Sequence, residues 1–263
     1  MSGASVGVVA AIVVGIALVW TARWLGRRDR RPPDVNALAV QVPSVKVVTL
    51  GMQGAGKTLL LASMYRCMQT PGDREFYLKA PHEQVMELSR WFEAVARPDD
   101  VWPAGTSKSE MREFEFNVLT PSGDTHEPVL RIGYLEYAGE LLTEPQGHGS
   151  TALTTLLAAV NDADALIGII DGLRVLQTYR GDPRGTAILQ RSVDTMVSTM
   201  FTARSPVTFV VTKWDLLDDL HADPNVRLGI VRNLLMGLAG FRDLVREHSK
   251  HRVIRLIPVT AVG

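Results

Sequence analysis

The sequence predicts an α/β fold: a three-layer α/β/α sandwich around a mainly parallel sheet. Three observations point there. Short apolar runs recur, such as "ALIGIID" (Ala165 to Asp171) and "VTFVVTKWD" (Val207 to Asp215), as expected of strands buried on both faces. Helix-like stretches separate them near 151–161, 185–203 and 225–249. A glycine-rich octet joins the first apolar run to the first helix-like stretch, at the strand end where sheets of this kind take ligands.

The elements follow in order. Val45 to Leu50 is a β-branched apolar strand, and Leu59 to Met68 a plausible amphipathic helix. Residues 70–108 read as irregular apart from a helix over Pro81 to Ala96. "MREFEFNVL" (Met111 to Leu119) alternates polar and apolar side chains, as a half-buried strand does. Pro121, Ser122, Gly123 and Asp124 make a turn, and "VLRIGYLEY" (Val129 to Tyr137) returns as a hairpin partner. "RVIRLIPVTA" (Arg252 to Ala261) is the last predicted strand.

The 263 residues suffice for one large domain or two small ones. Net charge is zero, so no nucleic-acid partner is expected. The single cysteine, Cys67, excludes a disulfide framework and fits as a small core side chain.

The first 22 residues carry no charged side chain. Ala4 to Ala22 would form a helix ~29 Å long, about the thickness of a bilayer core. Trp20 and Trp24 stand at its end, followed by Arg23, Arg27, Arg28, Arg30 and Arg31. A cleaved signal peptide needs a basic start and a small-residue cleavage site, and neither is evident. The expectation is a single-pass membrane protein with its arginine flank, and all that follows, in the cytoplasm. Residues 1–25 would then be a transmembrane anchor with its basic flank. Residues 26–43, with Pro32, Pro33 and Pro43, would be a linker, and 44–263 the functional domain. Gly7, Ala11 and Gly15 are small residues four apart, a spacing that can pack two such helices.

The octet reads Gly51-Met52-Gln53-Gly54-Ala55-Gly56-Lys57-Thr58 and fits G-x-x-x-x-G-K-[ST], the phosphate-binding P-loop. Glycines let the backbone wrap tightly, so that successive N–H groups point at phosphate oxygens. The following helix adds its positive dipole end. Gly51, Gln53, Gly54, Ala55, Gly56, Lys57, Thr58 and Leu59 are therefore the expected phosphate contacts. Lys57 would reach the β- and γ-phosphates, as a catalytic charge, and the Thr58 hydroxyl would bind Mg²⁺.

Thr212-Lys213-Trp214-Asp215 ends a predicted buried strand. An aspartate there accepts two hydrogen bonds from guanine, from its ring N–H and its exocyclic amine. Adenine has no such donor pair on that edge. Each bond to a charged acceptor contributes ~1.5–3 kcal/mol, so the pair discriminates strongly. The Lys213 stem can lie over the base. Thr260 and Ala261 close the last predicted strand, where a backbone N–H would meet the guanine oxygen.

Taken together, GMQGAGKT, EYAG, TKWD and TAV resemble, in order, the four motifs of the Ras-like, translation-factor-related class of P-loop GTPases. The resemblance covers about Val45 to Val262. The stretch from "WPAGTSKSEMREFEF" to "IGYLEYAGE" also looks like bacterial GTPases of the double-GTPase type. The class implies a GTP/GDP switch with Mg²⁺, slow hydrolysis and a protein effector. It implies a D-x-x-G aspartate that holds a Mg²⁺ water, and Glu136 stands there. Asp171 is the rival acid, since many ATPases end their Walker B strand so; the spacing to Gly139, whose N–H would touch the γ-phosphate, favours Glu136. The class often follows that glycine with a water-orienting Gln. Here Glu140 stands there, either a base or a brake on the reaction, with His148 as a possible replacement. Thr106 is the best switch threonine for Mg²⁺, against Ser107 and Ser109. Arg180 and Arg184 are loop candidates for an arginine finger, no better than solvated charges. The class adds a final helix after its last motif; the sequence ends at Gly263, so that helix is expected to be missing. Two alternatives stand beside the switch: a non-hydrolysing nucleotide-bound scaffold, and an ATPase using Asp171.

Overall fold

The computed structural model describes residues 42–70, 75–96, 111–122, 125–137 and 151–260. Seven strands form one sheet in the order β2-β3-β4-β1-β5-β6-β7. They are β1 (Ser44–Gly51), β2 (Tyr77–Lys79), β3 (Met111–Ser122), β4 (Thr125–Tyr137), β5 (Ala165–Asp171), β6 (Val207–Thr212) and β7 (Ile254–Pro258). β4, β1, β5, β6 and β7 run parallel; β2 and β3 join antiparallel at one edge. The helices are α1 (Lys57–Met68), α2 (His82–Ala96), α3 (Thr151–Asp162), α4 (Gly172–Tyr179), α5 (Pro183–Met200), α6 (Pro224–Gly237) and α7 (Ala239–His248), with a 3-10 helix over Trp214–Leu220.

Strand alternation sorts the side chains into two cores. Val45 and Val47 on β1, with Ile167 and Ile169 on β5, face α1 and α2 and pack with Leu61, Met68 and Leu88. Val48 and Leu50, with Leu166 and Ile170, face the other way. There Phe209, Leu156, Val193, Leu235 and Phe241 close the second core, beneath α3 to α7. Each core strand is apolar on both sides, which is why β5 and β6 read as unbroken runs.

The hairpin of β3 and β4 forms as expected, paired from Met111↔Tyr137 to Ser122↔Thr125 with a register shift between Val118 and Leu119. Pro121 lies inside β3 rather than in the turn. β2 pairs only with Asn117, Val118 and Leu119, so Pro121 lies beyond the pairing on that side, where its missing N–H is tolerated. The helix expected over 225–249 breaks at Leu238, whose extended backbone (φ −76°, ψ 125°) separates α6 from α7. Three elements escaped the periodicity: β2, which is three residues long, α4 and the 3-10 helix.

The expected membrane location is corrected. Among the described residues no helix is long and apolar enough to cross a membrane. The longest, α5, has 18 residues and carries Arg184, Arg191 and Asp194; it buries one face on the sheet and leaves the other to water. Ala4 to Ala22 lie outside the described residues.

Candidate functional site

The sequence motifs converge at the carboxyl ends of β1, β4, β5 and β6. Gly51 ends β1 opposite Ile169, and a β-carbon on it would lie 2.9 Å from the Ile169 Cβ. The chain then turns through Gln53, Gly54 and Ala55, with Ala55 N donating to Met52 O at 3.2 Å. Gly54 (φ 76°) and Gly56 (φ 89°) take left-handed conformations that glycine alone adopts freely. Gly56 caps α1 without a side chain, so no side-chain oxygen occupies the first-turn amides that follow, those of Lys57, Thr58 and Leu59. The Lys57 ammonium lies over the loop, donating to Gly51 O (2.9 Å) and Met52 O (3.1 Å), and is 6% exposed. The motif has thus become a tight glycine turn at a helix start with a cation over it, an arrangement of the kind that suits an anion.

Glu136 lies on β4 beside Thr49 of β1, and no part of it reaches solvent. The Thr58 hydroxyl donates to its Oε1 at 2.7 Å, while Oε2 is buried with no hydrogen-bond partner among the described residues. Burial pushes the Glu136 carboxyl above its ordinary range, opposed by the Thr58 hydroxyl and by the charges of Lys57 and Arg112. A buried carboxylate with an unused oxygen, next to a hydroxyl at a phosphate loop, is a hard-oxygen donor set of the type that suits Mg²⁺. Asp171 is used otherwise. Its Oδ1 accepts from Leu173 N at 3.0 Å, capping α4, and it pairs with Lys213 at 3.0 Å.

The other half of the site is assembled around Lys213, the one described non-glycine residue with positive φ (52°). Strand β6 stops at Thr212, three residues earlier than expected, because Lys213 turns the chain into the 3-10 helix. The Thr212 hydroxyl donates to Ala55 O at 2.7 Å, with Ile170 O at 3.2 Å. The Lys213 ammonium donates to Gly54 O (3.0 Å) and to Asp171 Oδ2 (3.1 Å). Two successive side chains therefore tie the TKWD segment to the glycine loop. Asp215 follows, exposed, in the first turn of the 3-10 helix. Trp214 N donates to Val259 O (3.3 Å), and Val259 N to Val211 O (2.8 Å), which brings Thr260 beside TKWD.

Thr106, Gly139, Glu140 and Ala261 lie outside the described residues, as do Ser107, Ser109 and His148. Arg180 pairs with Asp219 on the 3-10 helix at 3.7 Å, and Arg184 is exposed in the first turn of α5.

Two residues of this site gave no sequence signal. A β-carbon on Gly172 would stand 2.2 Å from Thr212 O, so only glycine lets β5 and α4 approach the TKWD turn. An Asp-Gly pair after an apolar strand marked a strand end and nothing more. Arg227, far along the chain, was one arginine among many.

No family model matches the chain, and no curated protein matches it in sequence. Solved structures resemble it in outline. One is the signal recognition particle receptor SRb-GTP/SRX complex of Chaetomium thermophilum, at 17% identity and TM-score 0.43 over 84% of this chain and 92% of that one. Another is the GTPase-like domain of Ski7 from S. cerevisiae, bound to GDP and inorganic phosphate, at 13% identity and TM-score 0.46 over 83% and 43%. A third is the ADP-ribosylation-factor-like protein, the small COPII coat GTPase SAR1, of Encephalitozoon cuniculi with GDP, at 13% identity and TM-score 0.37 over 84% and 71%. At these values the likeness stops at the general course of the chain.

Proposed function

We propose that residues 44–263 form a guanine-nucleotide-binding domain that hydrolyses GTP slowly and signals its nucleotide state to a protein effector. One observation carries this reading: Thr212 and Lys213, from the segment that would select the base, bond directly to Ala55 O and Gly54 O of the phosphate loop. A single ligand with a polyphosphate at one end and a purine at the other spans those two parts. The loop amides from Gln53 to Leu59 and the Lys57 ammonium hold the phosphates. Asp215 accepts from the guanine N–H groups, the Lys213 stem supports the ring, and Thr260 with Ala261 meets the guanine oxygen. Thr58 and Glu136, joined by Thr106, would hold Mg²⁺, and the ion would supply neutralising charge for the phosphates. Gly139 would offer its N–H to the γ-phosphate, and Glu140 would act on the attacking water. Release of the segments around Thr106 and Gly139 after hydrolysis is the switch.

Asp171 does not fit the ATPase reading as well. Its carboxylate is engaged by Lys213 and by the α4 amide, whereas Thr58 turns to Glu136. Single-turnover phosphate release tests hydrolysis: a rate above that of buffer supports a GTPase. A rate equal to buffer, with or without partner proteins, supports a nucleotide-bound scaffold.

A further inference from the structure

We infer that Arg227 is a positioning residue for purine selection, holding the 3-10 helix that presents Asp215 to the base. The inference rests on the guanine reading and deepens it. Asp215 itself is exposed, and the helix that carries it has no side-chain cap at its start. Its start is tied by Lys213 and by Trp214 N to Val259 O, and two further anchors hold the helix beyond Asp215. One is Leu217, fully buried in the core beneath. The other is Arg227 on α6, only 7% exposed.

Arg227 uses its whole guanidinium. Nε and Nη2 both donate to His221 O, at 3.1 and 3.0 Å, a forked grip on the residue that follows the 3-10 helix. Nη1 pairs with Asp218 in the middle of that helix. The guanidinium carbon lies 5.8 Å from the centre of the Trp214 ring, at the helix start. So one side chain touches the residue before Asp215, the residue three after it, and the end of the helix. A planar fork with a cationic face does this; a lysine point charge does not.

Arg227 is itself set in place. Asp223 caps α6 by accepting from Asn225 N at 2.8 Å, and Asp223 N donates to His221 Nδ1 at 3.0 Å. Arg227 N donates to Asp223 O at 3.0 Å, in the first turn of α6. The Asp215 carboxylate is therefore registered against a rigid helix start rather than left to a loop.

The test is calorimetric binding of GTP and inosine triphosphate to the full chain. Inosine lacks the exocyclic amine, so the ratio of the two affinities reads how well Asp215 is placed. Arg227→Gln should lower the GTP preference about tenfold; inosine triphosphate keeps the ring N–H that Asp215 also accepts, so it weakens too, but clearly less than GTP. Arg227→Lys should fall between. Asp218→Asn removes one leg at an exposed position, with no threat to the core, and should lower the ratio about threefold. In an Asp215→Ala background Arg227→Gln should change the ratio no further, because the two residues act on one contact. Unchanged ratios in folded Arg227→Lys and Asp218→Asn overturn the inference, as does equal weakening of both nucleotides or additivity with Asp215→Ala. A wild-type chain indifferent to the exocyclic amine removes the guanine reading beneath it.

Discussion

The glycine loop and the 3-10 helix at Asp215 lie at the same end of the sheet but are built in opposite ways. The loop is eight consecutive residues, Gly51 to Thr58, shaped by two left-handed glycines and closed over by its own Lys57. The Asp215 helix is held by residues scattered through the chain: Asp171, Gly172, Arg227 and Val259. One half is local and tolerates little change within itself. The other is tertiary, and its function can be lost from a distance. Purine choice should therefore be separable from phosphate binding.

Lys57→Ala should test that separation hardest. Removing the cation over the loop should weaken every nucleoside triphosphate by about a hundredfold or more, whatever its base, in equilibrium binding. Asp215→Asn should do the reverse: about a hundredfold loss for GTP, no loss for ATP, and a gain for xanthosine triphosphate, whose 2-oxo group accepts from the new amide. If both substitutions weakened all bases equally, the two halves would be one. Gly172→Ala places a methyl against Thr212 O, and should cost about 2 kcal/mol in urea unfolding together with guanine preference. Asp171→Asn leaves Lys213 without its ion pair and should cost about fivefold in GTP affinity, more than in stability.

These contrasts explain what could be read beforehand. The octet, TKWD and the apolar strands are local patterns, and the structure places them at the ends of β1 and β6 and in the sheet. Glu136 was singled out by spacing, yet its bond to Thr58 spans 78 positions. The Asp171–Lys213 pair spans 42, and in sequence Asp171 looked like a metal acid. No window of neighbouring residues shows that pair; the sheet makes it, by setting Asp171 beside Thr212. α4 was missed because it is eight residues long and follows its strand without a linker. The membrane expectation drew on the apolar run over Ala4 to Ala22 and its arginine flank, which lie outside the described residues, and no described helix answers to it.

The smallest effect should come from the far end of the sheet. His248 stacks edge-on to Phe201 at 4.8 Å, and its Nε2 is buried without a hydrogen-bond partner among the described residues. Burial lowers its pKa below the ordinary 6.5, with Arg252 and His251 adding to the shift and Glu247 opposing it. Below 6.5 the unfolded chain then binds more protons than the folded one. Stability should be full above that pH and fall as pH drops through the lowered value. His248→Gln should flatten this slope in thermal melts while leaving nucleotide binding alone.

The reading as a whole turns on calorimetry of the full chain with GTP and ATP in the presence of Mg²⁺. Binding of GTP at least about a hundredfold tighter than ATP is the expected outcome, from the two bonds that Asp215 would make to guanine alone. Equal affinity for the two nucleotides, or no binding of either by a folded chain, would show that the segment tied to the glycine loop does not choose a purine.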